Sequence, residues 1–453
     1  MIRINFLLGV LVLTAFLISC TGSKKDVAGG LSTTAVEEDI QLRAKIKDLQ
    51  EKIKKNPNTM DYREELADLY FENGHTLEAM KTLEEALKID PHNAEVQFKY
   101  GDFALKSGDK RRAFIAFKAV MLGPDADAYL DRISPYFVDA FNVTPVVQGE
   151  ANEAFGAFSA DGNQIIYQSD QNGNWDLFIL DLTTNEVKQI TNSPAHEENP
   201  SFSPDGVHIV YTSTEDDHRD VDFSQKLRDI YVMDLITGET ENLTKNGSDD
   251  WHPKYSFSGD FIVFVSQRND LREVPFYEMY SDIFIMQNNG RFQLSLTRDE
   301  FNDGSPALMP GSTDEEGTVI FDSDRSGSFA IYKMDIRTKE ITQLTHNPDV
   351  NDVSPDVSSS GDKITFFSDR DGNYEIYLMN NDGSAQQRLT SNPAEDLNPV
   401  FSPDGNKILF HSDREGNFDL YLLDLTQSAE QISVSEVLSR IDQALQKIEE
   451  EEE

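Results

Sequence analysis

The sequence has little positive charge, almost no cysteine and no long hydrophobic run, and each shortage excludes a class of protein. Its 453 residues carry 40 basic against 81 acidic side chains, a formal net charge of −41. Such a surface repels phosphate, which argues against nucleic-acid binding and against electrostatic docking on anionic lipid. The single cysteine excludes an intrachain disulfide framework and a cysteine-based zinc site. Hydrophobic residues make up 38% of the chain, enough for two or three packed domains but not for a membrane bundle.

The only cysteine ends a short apolar N-terminal segment. Arg3 supplies a positive charge, and residues 6–17 are apolar but too few to span a bilayer. The segment ends Leu-Ile-Ser-Cys20, which resembles the bacterial lipoprotein signal, in which the equivalent cysteine becomes the lipidated N-terminus. The alternative is an ordinary secretory signal with a coincidental cysteine. We expect a signal peptide over residues 1–19 and acyl chains, including palmitate, on Cys20.

The residues after the cysteine are expected to form a tether. Residues 20–32 begin Cys-Thr-Gly-Ser, a flexible composition that would keep the folded part clear of the lipid. Position 21 is Thr rather than the Asp that favours inner-membrane retention in the best-known lipoprotein pathway. The resemblance therefore implies a lipid anchor in the cell envelope, at the outer membrane and facing the periplasm.

Residues 60–125 repeat themselves at an offset of 34. Small residues recur at Ala67 and Gly101, where two antiparallel helices would approach closely, and Gly74 and Gly108 would turn the chain between helices. This spacing resembles the tetratricopeptide (TPR) repeat. Two repeats are fewer than such arrays normally need, and an apolar stripe over residues 42–53 predicts a helix that supplies the missing layer. We assign a helical TPR-like domain to 33–141, as a spacer or a docking groove.

From residue 150 onward the apolar period changes from 3.6 to 2. A motif of the type Phe-Ser-Pro-Asp-Gly recurs, followed by an alternating strand, an Asp-rich turn and a third strand; the clearest copies begin at Phe158, Phe202 and Phe401. Most units close with a short strand ending in Thr. Six units of four short strands bury their faces by radial packing, which predicts an all-β, six-bladed β-propeller over 142–430.

These elements, recurring in a fixed order, resemble the TolB-type, WD40-like (PD40) propeller repeat. The sixth unit lacks an obvious last strand. Val143–Gln148, just before the first unit, would supply it and close the ring. The fold class is therefore multidomain, with a helical domain followed by a propeller. Residues 431–453 add an amphipathic helix with an acidic tail, packed against the N-terminal helices or another copy.

Motifs that would carry catalysis are missing from the sequence. It contains no Gly-x-Ser-x-Gly elbow, no Walker loop and no His-Glu-x-x-His. The turns that begin at Asp170, Asp369 and Asp413 space their oxygens like a calcium loop, but the twelfth-position Glu is absent and hairpin turns explain the same residues. We therefore expect no enzyme activity, no cofactor and no metal, with calcium at these turns as the alternative.

The best candidate for a functional site is one face of the propeller. Inter-blade links and Asp-rich turns share that face, and two insertions, Thr214–Arg228 and Gln267–Ser281, replace the short turns of blades two and three. Arginines and aromatics of the kind found in the second insertion are common interface anchors. The expected binding face comprises Glu197, Glu198, Asp249, Asp250, His252, Asp303, Asp352, Glu395 and Asp396 around the channel mouth, with Arg268, Arg272, Phe276, Tyr277 and Tyr280 on the insertion.

The sequence favours a non-catalytic adaptor or scaffold that binds other envelope proteins. The TolB resemblance implies a peptidoglycan-associated lipoprotein as partner, and helical repeats joined to a propeller also resemble a lipoprotein of the type IX secretion apparatus. The alternative is a glycan-binding or glycan-processing protein that uses the acidic channel mouth. That alternative requires two carboxylates about 5–10 Å apart with separated pKa values.

Overall fold

A computed structural model describes residues 33–429 and 432–452, which form two compact units. One unit contains the residues up to Leu130 together with those from Val434, and the other contains residues 131–433. The expected signal peptide, Cys20 and tether lie outside the described residues. Among the helices that are described, none combines the length and apolar character needed to cross a bilayer.

The first unit is an array of antiparallel helices. The two repeats form the pairs α2–α3 and α4–α5, and their close approach requires small residues: a Cβ on Gly101 would lie 2.6 Å from Phe117 Cε1. Asn93 caps α4 by accepting from the Val96 amide at 3.0 Å. The described helices are α1 (Thr33–Lys55), α2 (Asp61–Glu72), α3 (Thr76–Ile89), α4 (Ala94–Lys106), α5 (Lys110–Met121), α6 (Ala126–Ile133) and α7 (Val434–Glu452). The division between the two units falls within α6, after Leu130.

Helix α1 is the predicted additional layer. Leu49 packs into a buried cluster with Leu66 and Leu69 of α2, and Leu42, Ile46 and Ile53 pack around it. This contact confirms the layer expected from the apolar stripe.

Helix α7 belongs to the same unit and packs on α5. Its residues Val437, Ile441 and Ala444 are buried, and its Asp442 pairs with Lys118 of α5 at 2.6 Å. The C-terminal segment, assigned above to a domain of its own, is therefore part of the helical array. Of the two packing partners left open by the sequence, the N-terminal helices are the one observed.

The second unit is a ring of six four-stranded antiparallel sheets. Strands 1 to 4 of a blade follow one another from the channel outward. Blades one to three contain β2 (Glu153–Phe158), β3 (Gln164–Ser169), β4 (Asp176–Asp181), β5 (Val187–Gln189), β6 (Glu197–Phe202), β7 (His208–Ser213), β8 (Asp229–Asp234), β9 (Thr240–Asn242), β10 (Asp250–Tyr255), β11 (Phe261–Ser266), β12 (Asp282–Gln287) and β13 (Leu294–Ser295). Blades four to six contain β14 (Asp303–Leu308), β15 (Thr318–Ser323), β16 (Ala330–Asp335), β17 (Ile341–Gln343), β18 (Asp352–Val357), β19 (Lys363–Ser368), β20 (Glu375–Asn380), β21 (Gln387–Arg388), β22 (Asp396–Phe401), β23 (Lys407–Ser412) and β24 (Asp419–Ser428).

The ring closes with a strand from before the first blade. Strand β1 (Phe141–Val147) pairs antiparallel with β24, so that Val143 lies opposite Leu423. This confirms the closure predicted for the sixth blade, with the strand beginning two residues earlier than expected. The propeller unit begins at Asp131 rather than at 142.

The innermost strand of each blade carries a β-bulge at the same place. The residue before each repeated proline, or before Gly156 in blade one, has a φ between 43° and 52°, and the pairing register shifts there. Left-handed backbone at non-glycine residues is uncommon, and its sixfold recurrence turns one side chain per blade toward the axis. These side chains are Phe155, Asn199, His252, Ser305, Ser354 and Asn398.

Candidate functional site

Most carboxylates of the expected acidic face are buried. They stand at the first position of the innermost strand, or next to it, where each side chain lies inside its blade. These acids, expected on a binding face around the channel mouth, therefore lie in the interior of the blades. The buried members are Glu197, Asp249, Asp250, Asp303, Asp352 and Asp396.

In blades three to six, the Asp at the first position of the innermost strand pairs with an arginine of its own blade. In blade five, Arg370 Nη2 donates to Asp352 Oδ1 at 2.6 Å, its Nε donates to Ser368 Oγ at 2.8 Å, and the guanidinium lies 4.3 Å from the Tyr377 ring centroid. A buried charge needs such a partner because desolvation costs several kcal/mol per ion. The equivalent pairs are Arg268–Asp250, Arg325–Asp303 and Arg414–Asp396.

Blades one and two replace this arrangement. The acid is Glu153 or Glu197, and Gln171 or Glu215 stands where the arginine would be. Burial raises the pKa of both glutamates to about 7. Glu153 Oε1 accepts from Ser169 at 3.1 Å, while the Oε2 atoms of both glutamates are buried without a hydrogen-bond partner.

Glu198, His252 and Glu395, also expected on this face, are half-buried. Arg228 Nη2 donates to Asp249 at 2.5 Å, and its Nη1 lies 3.9 Å from Glu198 Oε2. The guanidinium carbon lies 5.1 Å from the Trp251 ring centroid. Glu395 Oε2 accepts from the Tyr374 amide at 2.8 Å. His252 lies on β10 and not in a loop, and burial lowers its pKa to about 4.

The two insertions are built alike. In blade three, Asp270 accepts from Arg272 Nε at 3.0 Å and from the Tyr280 amide at 2.7 Å, and the Arg272 guanidinium stacks 3.8 Å from the Tyr280 ring centroid. In blade two, Asp217 accepts from Arg219 and from the Leu227 amide in the same way. Arg268 and Arg272, expected as interface anchors, therefore hold their own blade and loop together.

Large apolar side chains are exposed at this end of blade three. Leu271 is 85% and Tyr277 62% exposed on the insertion, and Phe301, on the link to blade four, is 38% exposed. Phe276 and Tyr280 are half-buried. We call Leu271, Tyr277 and Phe301 the blade-three patch. Tyr277 was predicted from the sequence, whereas Leu271 and Phe301 were not, because they follow no repeat pattern.

The axial channel is narrow. The Phe155 ring lies 5.6 Å from that of His252 and 5.4 Å from that of His411, and Lys254 pairs with Asp356 further along the channel. The remaining cavity of about 100 Å³ is lined by the bulge residues and the prolines after them. Of these residues, only His252 was predicted from the sequence. The position directly before each repeated proline would have identified the other bulge residues of blades two to six.

The Asp-rich turns use their oxygens within the protein. Asp170 accepts from the backbone and side-chain nitrogens of Asn152 at 2.8 Å, and Asp369 accepts from Asn351 at 2.8 and 2.7 Å. Asp413 accepts from the Glu395 amide at 2.8 Å. These contacts support the hairpin interpretation of the turns.

Comparison with known proteins agrees with both folds. The family profile of the TolB beta propeller domain matches residues 350–438, and that of the tetratricopeptide repeat matches residues 60–103. The tetratricopeptide match covers α2, α3 and most of α4. The TolB match begins at the fifth blade.

Solved propellers with diverse names are similar to this chain. A protein described as a putative TolB from Agrobacterium tumefaciens is 19% identical, with 65% of this chain and 99% of that chain covered and a TM-score of 0.47. An oligogalacturonate lyase from Vibrio parahaemolyticus is 16% identical (64% and 95% covered, TM-score 0.42), and a gluconolactonase from Xanthomonas campestris is 12% identical (64% and 91%, 0.47). The chain thus combines a helical segment matched as tetratricopeptide repeat with a six-bladed ring that contains a TolB-type propeller match.

Proposed function

We propose that this protein is a non-catalytic adaptor of the cell envelope that binds another protein through the blade-three patch. The observation that carries the proposal is the exposure of Leu271 and Tyr277 on an insertion held by its own ion pair. Exposed apolar side chains on a rigid loop favour protein binding, because the loop loses little conformational entropy when the partner docks. TPR and TolB-type propeller segments both point to protein–protein interaction.

The blade-two insertion provides a matched comparison within the chain. It has the same length and the same Asp–Arg contact, but His218 and Ser224 stand where blade three has Leu271 and Tyr277. The two loops therefore share their backbone support and differ in the apolar side chains that they present. This difference supports blade three as the proposed binding site of the partner.

The glycan alternative lacks support from the channel. Ligand pockets usually enclose about 300–1,000 Å³, whereas the channel cavity holds about 100 Å³. The paired carboxylates required for glycan hydrolysis would have to be accessible, and six of the eight acids expected at the mouth are buried. We therefore retain the adaptor as the proposed function.

Site-specific photo-crosslinking in cells tests the adaptor proposal. A photoreactive residue at position 277 should capture one or a few defined envelope proteins, and Leu271→Ser in the same chain should reduce that capture at least tenfold. The same residue at position 224, on the blade-two loop, is the control. Equal capture at both positions, or capture at 277 that Leu271→Ser leaves unchanged, would contradict the proposal.

We also propose that Cys20 carries the lipid anchor, with the folded part in the periplasm at the outer membrane. The support is the Leu-Ile-Ser-Cys20 ending of the apolar segment. Metabolic labelling with a palmitate analogue should mark the wild-type chain and leave Cys20→Ala unlabelled. Labelling of both chains would contradict lipidation at this cysteine, and recovery of the labelled chain in inner-membrane fractions would contradict the outer-membrane assignment.

A further inference from the structure

The blade-two insertion and the link that precedes blade two enclose a cavity of about 560 Å³. Ligand pockets usually enclose about 300–1,000 Å³. Residues 193–196 of the link line the cavity, together with Thr214, Phe223 and Lys226 of the insertion. The cavity is therefore large enough for a small molecule, and it lies apart from both the axial channel and the blade-three patch.

One difference between the two insertions explains this space. Gln267 of blade three stands where blade two has Thr214. The Gln267 side-chain amide donates to the backbone carbonyls of Phe276 at 2.9 Å and of Met279 at 3.2 Å, inside its own loop. The Thr214 side chain is too short to make the equivalent contacts, so the interior of the blade-two loop stays open.

Two hydrogen-bond donors in the cavity have unused protons. His196 Nδ1 accepts from the Trp175 amide at 3.3 Å, so the proton of the neutral ring is on Nε2. Burial, together with the charge of Lys226, lowers the pKa of His196 to about 4. Lys226 Nζ donates to the Asp217 carbonyl at 2.8 Å and keeps two further protons. Among the described residues, none accepts these remaining protons, which favours a ligand with negatively charged oxygens.

The cavity also contains a carboxylate that is not engaged elsewhere. Glu215 lines it, is exposed, and forms no side-chain hydrogen bond or ion pair with another described residue. Asp217, the other acid of the lining, is already paired with Arg219. A purely anionic ligand would be repelled by Glu215 and by a chain of net charge −41. A ligand with one positive and one negative group finds a partner for each.

We propose that this cavity binds a small zwitterion with a free amine and a free carboxylate, as amino acids and short peptides have. The ligand carboxylate lies against Lys226 and His196, and the ligand ammonium lies against Glu215. The Phe223 ring, whose centroid is 3.4 Å from that of His196, and Pro194 provide apolar surface for the rest of the ligand. The site does not depend on the proposed partner of blade three.

Saturation-transfer NMR on the full-length protein tests the site. The probes are two pools, the common free amino acids and dipeptides of the form Ala-X with free termini, and the pool that contains the tighter ligand distinguishes the two sources. Thr214→Gln should weaken binding at least tenfold, because the new side chain fills the cavity as Gln267 does in blade three. Lys226→Met and Glu215→Gln should each have a similar effect, because each removes the partner of one ligand charge. Glu239→Gln, which changes an exposed acid of blade two outside the cavity, should bind like the wild type.

Blocked forms of the tightest probe test the two ends of the ligand separately. N-acetylation and C-amidation should each weaken binding at least tenfold. Thr214→Gln should melt at or above the wild-type temperature, so that its loss of binding is not a loss of folding. The proposal is overturned if no member of either pool binds the wild type, if Thr214→Gln or Lys226→Met keeps wild-type affinity, if Glu239→Gln loses binding equally, or if blocking either end of the ligand changes nothing.

Discussion

Lys254 of blade three forms an ion pair with Asp356 of blade five, reaching past blade four inside the axial channel. Asp356 also accepts from the Phe401 amide of blade six at 2.7 Å. One carboxylate thus links three blades.

Lys254→Met should destabilise the propeller by about 2 kcal/mol, because it leaves the buried Asp356 carboxylate without its cation. Urea unfolding of the wild type and the variant measures the difference. Lys254→Arg, which keeps the charge, should recover part of the loss. Equal stability of Lys254→Met and the wild type would show that the pair contributes nothing.

The arginine–aspartate pairs inside the blades should contribute more to the free energy of unfolding than surface pairs do. Arg370→Met leaves Asp352 buried and unpaired, which we expect to cost about 3–5 kcal/mol. Arg337→Met breaks a pair whose partners are 67% and 60% exposed, and this loss should be at most about 1 kcal/mol. Chemical unfolding of both variants provides the comparison, and similar losses for the two would refute the structural role assigned to the buried arginines.

Glu153 and Glu197 should make stability depend on pH. Their pKa values are raised from 4.5 to about 7 in the folded state, so the stability that their protonated forms provide is present below pH 4.5 and is lost as pH rises through 7. The groups that face them are acids or hydroxyls: Asp419, Asp170 and Ser169 for Glu153, and Asp176, Glu215, Ser193, Ser213 and Thr191 for Glu197.

The double variant Glu153→Gln/Glu197→Gln removes this titration. We expect it to match the wild type near pH 5 and to be more stable by about 2–3 kcal/mol per site at pH 8.5. Urea unfolding at a series of pH values measures the slope. A slope between pH 5 and 8.5 that the double variant leaves unchanged would contradict the protonated state of these glutamates.

Closure of the ring by β1 predicts a large loss when the strand is removed. Replacing residues 141–147 with a Gly/Ser segment of equal length keeps the chain connection but leaves β24 as an open edge, so the melting temperature of the propeller should fall by about 10 °C or more. The same replacement at 184–190, the outer strand β5 of blade one, is the control. A larger effect of the control than of the β1 replacement would argue against closure as the dominant contribution.

The repeat pattern was sufficient to predict the six blades, the closing strand and the TPR-like pairs, because each depends on spacing along the chain. The acidic face was misjudged because a repeated Asp looks the same whether it is solvated or buried. The sequence does contain a signal that distinguishes the two cases. An arginine follows the second strand in the blades of Asp250, Asp303, Asp352 and Asp396, but not in those of Glu153 and Glu197. The exposed Leu271 lies in an insertion without internal repeat, so no periodicity marks it.

The packing of α7 on α5 has a consequence for synthesis. The ribosome completes α1 to α5 before it begins the propeller, yet α7, which packs on α5, is translated only after the whole ring. During synthesis, the surface of α5 that packs on α7 therefore stays exposed while roughly three hundred further residues are translated. The first and last described helices, α1 and α7, thus belong to one unit, and the sequence of the propeller lies between them.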